Sequence, residues 1–428
     1  MSTNKHRTRA YGRLALLAIL FVAFAARVVT YVIDPKPGYM NNLTAYQTEM
    51  ARNILDHGKW FVVNDKALDY IQQQQNVHPL RFIDPADMDF STVDRHAVYT
   101  PEIAEVPGLV IPMVAVWSIT GQHYVYIRWI QIIVDTAMVL LVYWIAMQLS
   151  HNRRIALVSA LFYALWPGAL IFAYTPLIDT WGGFLMVSAL ALFIWARSGP
   201  HRTAKLVLLG LDVGIGAYFR PFIVLFPFAF AIAELRNRSR REALRNALVP
   251  SLIAALCVTP WIVRNALDFH RFIPMRSGVG MSLWEGLGQT PNSFGAVNDD
   301  GATIRFVHAH RPDLKFPSPA YDDYLLHRST QAIRSDPVHY LELVLRRSLY
   351  LVPCLLALLW RKRLPMQRAL LVATAVAVIL PHVLVRTETR YWLPAAFAYL
   401  ILAAAAIEGG IPFFARAFTP EASPSKLD

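Results

Sequence analysis

Apolar residues along this chain come in long runs, and the gaps between the runs are short and basic. The first run, Leu14 to Ile33, can cross a bilayer at about 1.5 Å per residue and follows Lys5, Arg7, Arg9 and Arg13. It contains Ala23-Phe24-Ala25, a pattern compatible with a signal-peptidase site, but its length favours an uncleaved anchor. Further spans are expected at Tyr124 to Leu149, Ile155 to Ala173, Leu177 to Trp195, Leu206 to Tyr218, Phe222 to Leu235, Leu248 to Val263, Tyr340 to Trp360, Ala369 to Val385 and Trp392 to Ile407. Leu109 to Thr120 is too short and reads as a half-span or re-entrant piece. The short pair around Arg220 could instead be one bent helix. The fold class expected is an all-α, polytopic helical membrane protein of about ten transmembrane helices with two large external loops. With the N-terminus cytoplasmic, the basic gaps at Arg153-Arg154, Arg197 to Lys205, Arg236 to Arg245 and Arg361 to Arg368 fall on the same side.

Two polar stretches interrupt this pattern and divide the chain. Residues 1–263 form a first transmembrane module that includes an external loop at 34–106. Residues 264–339 are a second external loop, 340–410 the last helices, and 411–428 a tail expected to be disordered. The first loop carries eleven of the 29 carboxylates. Its opening, Asn42 to Asp56, reads as an amphipathic helix with Leu43, Tyr46, Met50, Ala51 and Ile54 as the apolar stripe. Asn42, Glu49 and Asp56 share another face, because seven residues is close to two turns. The later part, with Gln72 to Gln75, Asp84-Pro85, Asp87 and Asp89, shows no period and is expected to be irregular before Tyr99 to Gly108 returns the chain to the bilayer.

Composition agrees with the pattern. At 55% hydrophobic residues and a mean hydropathy of +0.37, 428 residues make an integral membrane protein. The net charge of +12 sits in the gaps, where it sets orientation, so nucleic acid is not an expected partner. Cys257 and Cys354 both lie in apolar runs and read as small buried hydrophobes.

On this topology Asp179, Arg220, Arg264-Asn265, Arg386, Glu388 and Arg390 arrive at one level. A charge at the bilayer centre costs about 2.5–3.5 kcal/mol on insertion scales, so such charges need a partner or a function. Singly, each reads as an interfacial side chain reaching for water; as a set they predict a shared anionic ligand. Arg128 and Asp135, seven residues apart in one span, are expected to pair with each other. His308 and His310 read as a solvated pair. No metal site is expected: Asp179 could help hold a divalent cation, but no compact ligand motif supports one.

Thr259-Pro260-Trp261-Ile262-Val263-Arg264-Asn265, followed by Phe272-Ile273-Pro274 and a glycine-rich stretch to Gly288, resembles the PW-x-x-RN segment of bacterial membrane glycosyltransferases of the GT-C fold. Arg390-Tyr391-Trp392-Leu393-Pro394 is similar to their late RY-x-x-P segment. Tyr46, Ala51 and Gly58, the Pro107-Gly108 turn, Asp179 and Arg220-Pro221 also fit the order seen in protein mannosyltransferase and lipid A aminoarabinose transferase relatives. The resemblance implies an inverting hexosyl- or pentosyltransferase in a bacterial inner membrane. Its donor would be a polyprenyl-phosphate sugar entering from the lipid, and its acceptor a glycan, lipid or protein reached from the outer face. Such a reaction needs a carboxylate to take the acceptor's proton and cations to hold the phosphate. Arg220, Arg264 and Arg390 suit the second role, and Asn42, Tyr46, Asp179, Asn265, Glu388 and Tyr391 complete the expected substrate-binding set. Where the relatives usually carry an aspartate before the tyrosine, this chain has Asn42, which cannot act as a base. Glu49 on the same helix face, or Glu102 or Glu105 near the return to the bilayer, could replace it; Asp34 and Asp56 are weaker choices. The rival classes are a transporter or flippase of a lipid-linked saccharide, a surface-polysaccharide ligase or polymerase, and a non-catalytic scaffold.

Overall fold

Prolines and glycines decide where the apolar runs break into separate helices. The computed structural model describes residues 2–36, 44–78, 80–235, 238–359 and 365–418. The chain starts with α1 (Ser2–Ile33). The first polar stretch then folds as α2 (Ala45–His57), β1 (Val62–Asn64), α3 (Asp65–Val77), α4 (Ser91–Asp94) and β2 (Tyr99–Pro101). The strands pair antiparallel, with Val62 opposite Pro101. α3 forms where an irregular chain is expected, because four successive glutamines hide its period. Its buried stripe is Ala67, Leu68 and Ile71, and the Asn64 side chain caps its start by accepting from the Lys66 amide. Gln75 turns inward and exchanges hydrogen bonds with the Ile83 backbone.

Next come α5 (Val110–Thr120), α6 (Tyr124–Ser150), α7 (Arg153–Ala164), α8 (Pro167–Phe172), α9 (Ile178–Ala196), α10 (Arg202–Ala217), α11 (Phe226–Glu234) and α12 (Arg240–Phe269). The run at Ile155 to Ala173 is split into α7 and α8 by Pro167, which starts the second helix because it has no N–H for the first. The second polar stretch folds as α13 (Val279–Leu287), α14 (Asp300–His310) and α15 (Pro319–Ser335) around buried Trp284, Val307, Tyr321 and Leu325. α16 (Pro337–Ser348), α17 (Val352–Leu359), α18 (Pro365–Leu384) and α19 (Ala396–Phe418) complete the described chain. α19 runs well into the expected tail, and residues 419–428 lie outside the described residues.

Among the described residues, five helices are long and apolar enough to cross a membrane: Tyr11–Ile33, Tyr124–Ser150, Ile178–Ala196, Arg240–Phe269 and Gln367–Leu384. Pro107–Thr120, Pro221–Glu234 and Leu393–Glu408 are shorter apolar helices. The segment around Arg220 is two antiparallel helices, not one bent helix. α10 and α12 run parallel, since Arg202 bonds Glu242 and Asn246 at one end while the Tyr218 hydroxyl reaches the Cys257 carbonyl at the other. α11, which joins them in sequence, must run antiparallel to both, and its last residue, Glu234, accepts from Arg197 and Asn246 at the starting end. Gly210 lets α10 and α12 touch: a Cβ there would sit 2.6 Å from Ile253. Both polar stretches therefore stand at one end of the helices, the loop end, and the basic gaps bracketing α10 and α12 stand at the other.

Candidate active site

The segment Trp261-Ile262-Val263-Arg264-Asn265 closes α12 at the loop end and ties three pieces of chain together. The Trp261 indole donates to the Met275 carbonyl at 2.6 Å, and its ring meets Phe61 edge-on at 5.1 Å. Asn265 donates to the carbonyls of Ile273 (2.9 Å) and Met275 (3.4 Å). Arg264 donates to the carbonyls of Glu102 and Phe61, both at 2.8 Å, and pairs with Asp268 at 2.8 Å. Its donors hold the first loop's backbone, and the Ser277 amide docks the second loop on the Ile103 carbonyl at 2.9 Å.

This clamp sets the acidic side of the site. Glu102 is fully buried; its Oε1 accepts from the amides of Ala104 (2.6 Å) and Glu105 (3.0 Å), while its Oε2 is enclosed without a partner. Burial, with the Glu105 charge adding to it, pushes the Glu102 carboxyl up to about 7, against the opposing pull of the amides. Glu105 is half-buried, accepts from Gln47 Nε2 at 3.2 Å and lies 3.7 Å from Arg276. Tyr46 stands beside them, and burial and then the charges of Glu102, Glu105, Asp65 and Asp69 hold its phenol far above the usual range. Phe316 of the second loop packs edge-on against Tyr46 at 6.5 Å.

Glu49 lies elsewhere. It is fully buried and accepts from Arg52 Nε (2.9 Å), Arg52 Nη2 (3.1 Å), Asn53 Nδ2 (2.9 Å) and the Asn64 amide (3.3 Å). Arg52 also grips Asp94 with both terminal nitrogens, at 2.8 and 3.0 Å, and lies over the Phe90 ring. Burial raises the Glu49 carboxyl above its ordinary value even against these donors. Asn42 lies outside the described residues.

The basic side is built from the ends of α9, α10 and α18. Arg220, held in place before Pro221, bonds Asp179 in the first turn of α9, and its Nε is buried without an acceptor. Its guanidinium lies 5.8 Å from the Tyr391 ring, and that of Arg390 lies 5.3 Å from it. His382 stacks on the same Tyr391 ring at 4.7 Å. Glu388 accepts from Arg390 Nε at 2.9 Å and pairs with Arg386 at 2.5 Å. Arg386 in turn bonds buried Glu285 of the second loop. A cavity of about 30 Å³ runs from Asp179 and Thr180 toward Asp135 and Tyr163, walled by Trp166, Phe172, Leu393 and Pro394.

Arg276 stands between the two sides. It is near Glu105, and its charge also acts on Asp300 and His382. The structure thus brings Tyr46, Glu102 and Glu105 to one side and Asp179, Arg220, Glu388, Arg390 and Tyr391 to the other, with Arg264 and Asn265 tying the loop backbones together as a clamp. Sequence reasoning missed Arg276 and the Arg386–Glu285 contact. The available signal was a lone arginine two residues after Phe272-Ile273-Pro274. It also paired Arg128 with Asp135, whereas Asp135 bonds Arg27 of α1 and accepts from the Tyr163 hydroxyl at 2.9 Å. Arg27 comes from another helix, so no spacing along α6 could reveal it.

Residues 110–263 match the family model described as dolichyl-phosphate-mannose-protein mannosyltransferase. Over 152 residues the chain is 30% identical to the undecaprenyl phosphate-alpha-4-amino-4-deoxy-L-arabinose arabinosyl transferase of Erwinia tasmaniensis, a match covering 32% of this chain and 26% of that protein. The oligosaccharyltransferase of Archaeoglobus fulgidus in its apo form superposes with a TM-score of 0.52 at 16% identity, covering 94% of this chain and 51% of that one. The chain has the GT-C fold. The same archaeal enzyme in complex with an inhibitory peptide and a dolichol-phosphate matches this GT-C chain with a TM-score of 0.52 at 15% identity, covering 96% and 52%. The chain therefore spans about half the length of these solved relatives and about a quarter of the curated one. Within the GT-C fold, the family match takes in Asp179 and Arg220 but not Glu102, Glu105, Arg276 or Arg390.

Proposed function

We propose that this protein transfers a sugar from a polyprenyl-phosphate donor to a hydroxyl acceptor at the loop end of the bundle, which faces the outside of a bacterial inner membrane. The observation that carries this reading is the meeting of an acid pair and a group of arginines across Arg276. Arg220 and Arg390 each have one carboxylate behind them, Asp179 and Glu388, and Arg220 keeps an open Nε. That arrangement suits a phosphate, whose oxygens match a guanidinium held in a fixed plane.

In this reading Glu105 is the base and Glu102 is the enclosed acid behind it. Glu105 takes the acceptor's proton as the acceptor oxygen attacks C1; the C1–O bond to the phosphate breaks on the opposite side, and the lipid phosphate leaves on the arginines with inversion at C1. Phosphate is a good leaving group, so the arginines suffice on that side. The names of the relatives, acting on or binding undecaprenyl and dolichol phosphates, support the donor class. Folded loops carrying α2–α4 and α13–α15 fit an enzyme better than a transporter, which needs only short connections.

The test is transfer from a radiolabelled polyprenyl-phosphate sugar pool in membranes. Glu105→Gln should lower transfer by about 10²–10⁴-fold, and Arg390→Ala by at least about 10²-fold, with both variants present at wild-type amounts. Wild-type transfer in both would overturn the assignment of the site. Absence of transfer from any lipid-linked donor in wild-type membranes would overturn the activity.

A further inference from the structure

Two buried cations at the loop end of α1 and α6 have no acidic partner among the described residues. Lys36, just past α1, is 2% exposed, and Arg128, one turn into α6, is 5% exposed. Neither forms a salt bridge among the described residues, and the undescribed stretch 37–43 contains no Asp or Glu. Lys36 Nζ donates to the Gln75 carbonyl (2.7 Å), Gln75 Oε1 (3.2 Å) and the His78 carbonyl (2.8 Å), so its bonds are complete while its charge is not. Burial, and then the charge of Arg128, lower its ammonium to about 8. Arg128 is less satisfied: its Nε and Nη2 are buried without an acceptor. Its guanidinium lies over Phe82 at 4.6 Å and Tyr31 at 5.2 Å, and Lys36 faces the same Phe82 ring at 5.2 Å. Asp84, the acid that acts on neighbouring Tyr124, already accepts from the Tyr124 amide and from His123. Ring faces recover only part of what a desolvated guanidinium loses, and open donors call for an anion.

The surroundings say where that anion comes from. Tyr126 and Trp129, either side of Arg128, are partly exposed, as aromatic residues at a membrane interface are. α1 is the least covered crossing: only 11% of its apolar window is buried, and Val29, Val32 and Ile33 on its last turns are exposed. The surface beside the cations is thus one that lipid would cover. We infer that Arg128, with Lys36 behind it and Tyr31 and Phe82 around it, seats the phosphate of an anionic phospholipid from the loop-side leaflet. This seat shares no contacting residue with Arg220 or Arg390, and its test involves no sugar, so it stands or falls separately from the proposed transfer.

The full-length protein, purified in detergent and stripped of lipid, would be titrated with phosphatidylglycerol, phosphatidylcholine or inorganic phosphate, with retained lipid read by native mass spectrometry and thermal unfolding recorded in parallel. Phosphatidylglycerol should bind and raise the unfolding temperature, phosphatidylcholine at least tenfold more weakly. Arg128→Gln should weaken phosphatidylglycerol binding at least tenfold, and Arg390→Ala should leave it unchanged. Should Arg128→Gln not fold, Arg128→Lys, which keeps the charge but loses the planar fork, should weaken binding several-fold. Equal binding by wild type and the folded Arg128 variant, equal binding of the two lipids, or loss of the lipid in Arg390→Ala would each overturn the inference. Inorganic phosphate competing as well as the lipid would assign the seat to free phosphate and overturn its lipid source.

Discussion

Glu49 and Glu102 are both fully buried carboxylates of the first loop, and they differ in how they are satisfied. Glu49 receives four donors from Arg52, Asn53 and Asn64 and has no oxygen left over. Glu102 receives two amides on one oxygen and leaves the other enclosed and unpaired beside Glu105, Tyr46 and Gln47. Burial alone therefore does not mark a reactive acid. A saturated carboxylate holds the fold, and one with an unmet oxygen, next to a second acid, makes the environment in which the proposed base, Glu105, stands. The arginines repeat the lesson, since Arg264 gives its donors to backbone carbonyls while Arg220 keeps one open.

The largest effect should come from breaking the saturated network. Glu49→Ala removes the one fully buried carboxylate that faces the Arg52 guanidinium, leaving Asp94 and the more distant, exposed Asp56 at 3.8 Å, and should destabilise the protein by about 3 kcal/mol, seen as a lower unfolding midpoint in detergent. A variant of wild-type stability that loses transfer would reverse the roles assigned to the two acids. The next effect is electrostatic. Glu102 holds its proton above its ordinary value of 4.5, up to about 7. Its contribution to stability is therefore full below 4.5 and is lost as pH rises through about 7, with a slope of at most about 1.4 kcal/mol per pH unit. Glu102→Gln should remove that slope between pH 4.5 and 7, whereas an unchanged slope would mean the group does not titrate there. The smallest effect is expected at the clamp. Arg264→Lys can reach one of the two carbonyls but not both, so it should lose about 1 kcal/mol and lower transfer less than tenfold. A drop as deep as that of Arg390→Ala would show that Arg264 holds substrate after all.

Much of this arrangement is legible in the chain itself. The apolar runs and basic gaps predict a polytopic helical protein, and the proline-flanked charges Asp179 and Arg220 point to a shared place, where they meet in direct contact. What sequence could not supply is the direction of a side chain. The position of Arg264 at the end of a span is the same whether its guanidinium faces a ligand or the carbonyls of Phe61 and Glu102, and only the folded loop decides between them. Arg276 was invisible for a related reason: a single arginine in a loop has no period, and its importance comes from Glu105 far earlier and His382 far later in the chain. The helix α3 shows the opposite limit, where a glutamine run hid a stripe of three buried apolar side chains.

The clamp also imposes an order on biosynthesis. Arg264 reaches back across 162 residues to Glu102 and 203 residues to Phe61. At roughly 5–20 residues per second, the first loop waits on the order of ten to forty seconds before the side chain that fastens it has been made. During that interval its helices lack their fastening, and chains truncated before residue 264 should be degraded rather than accumulate as partly active forms.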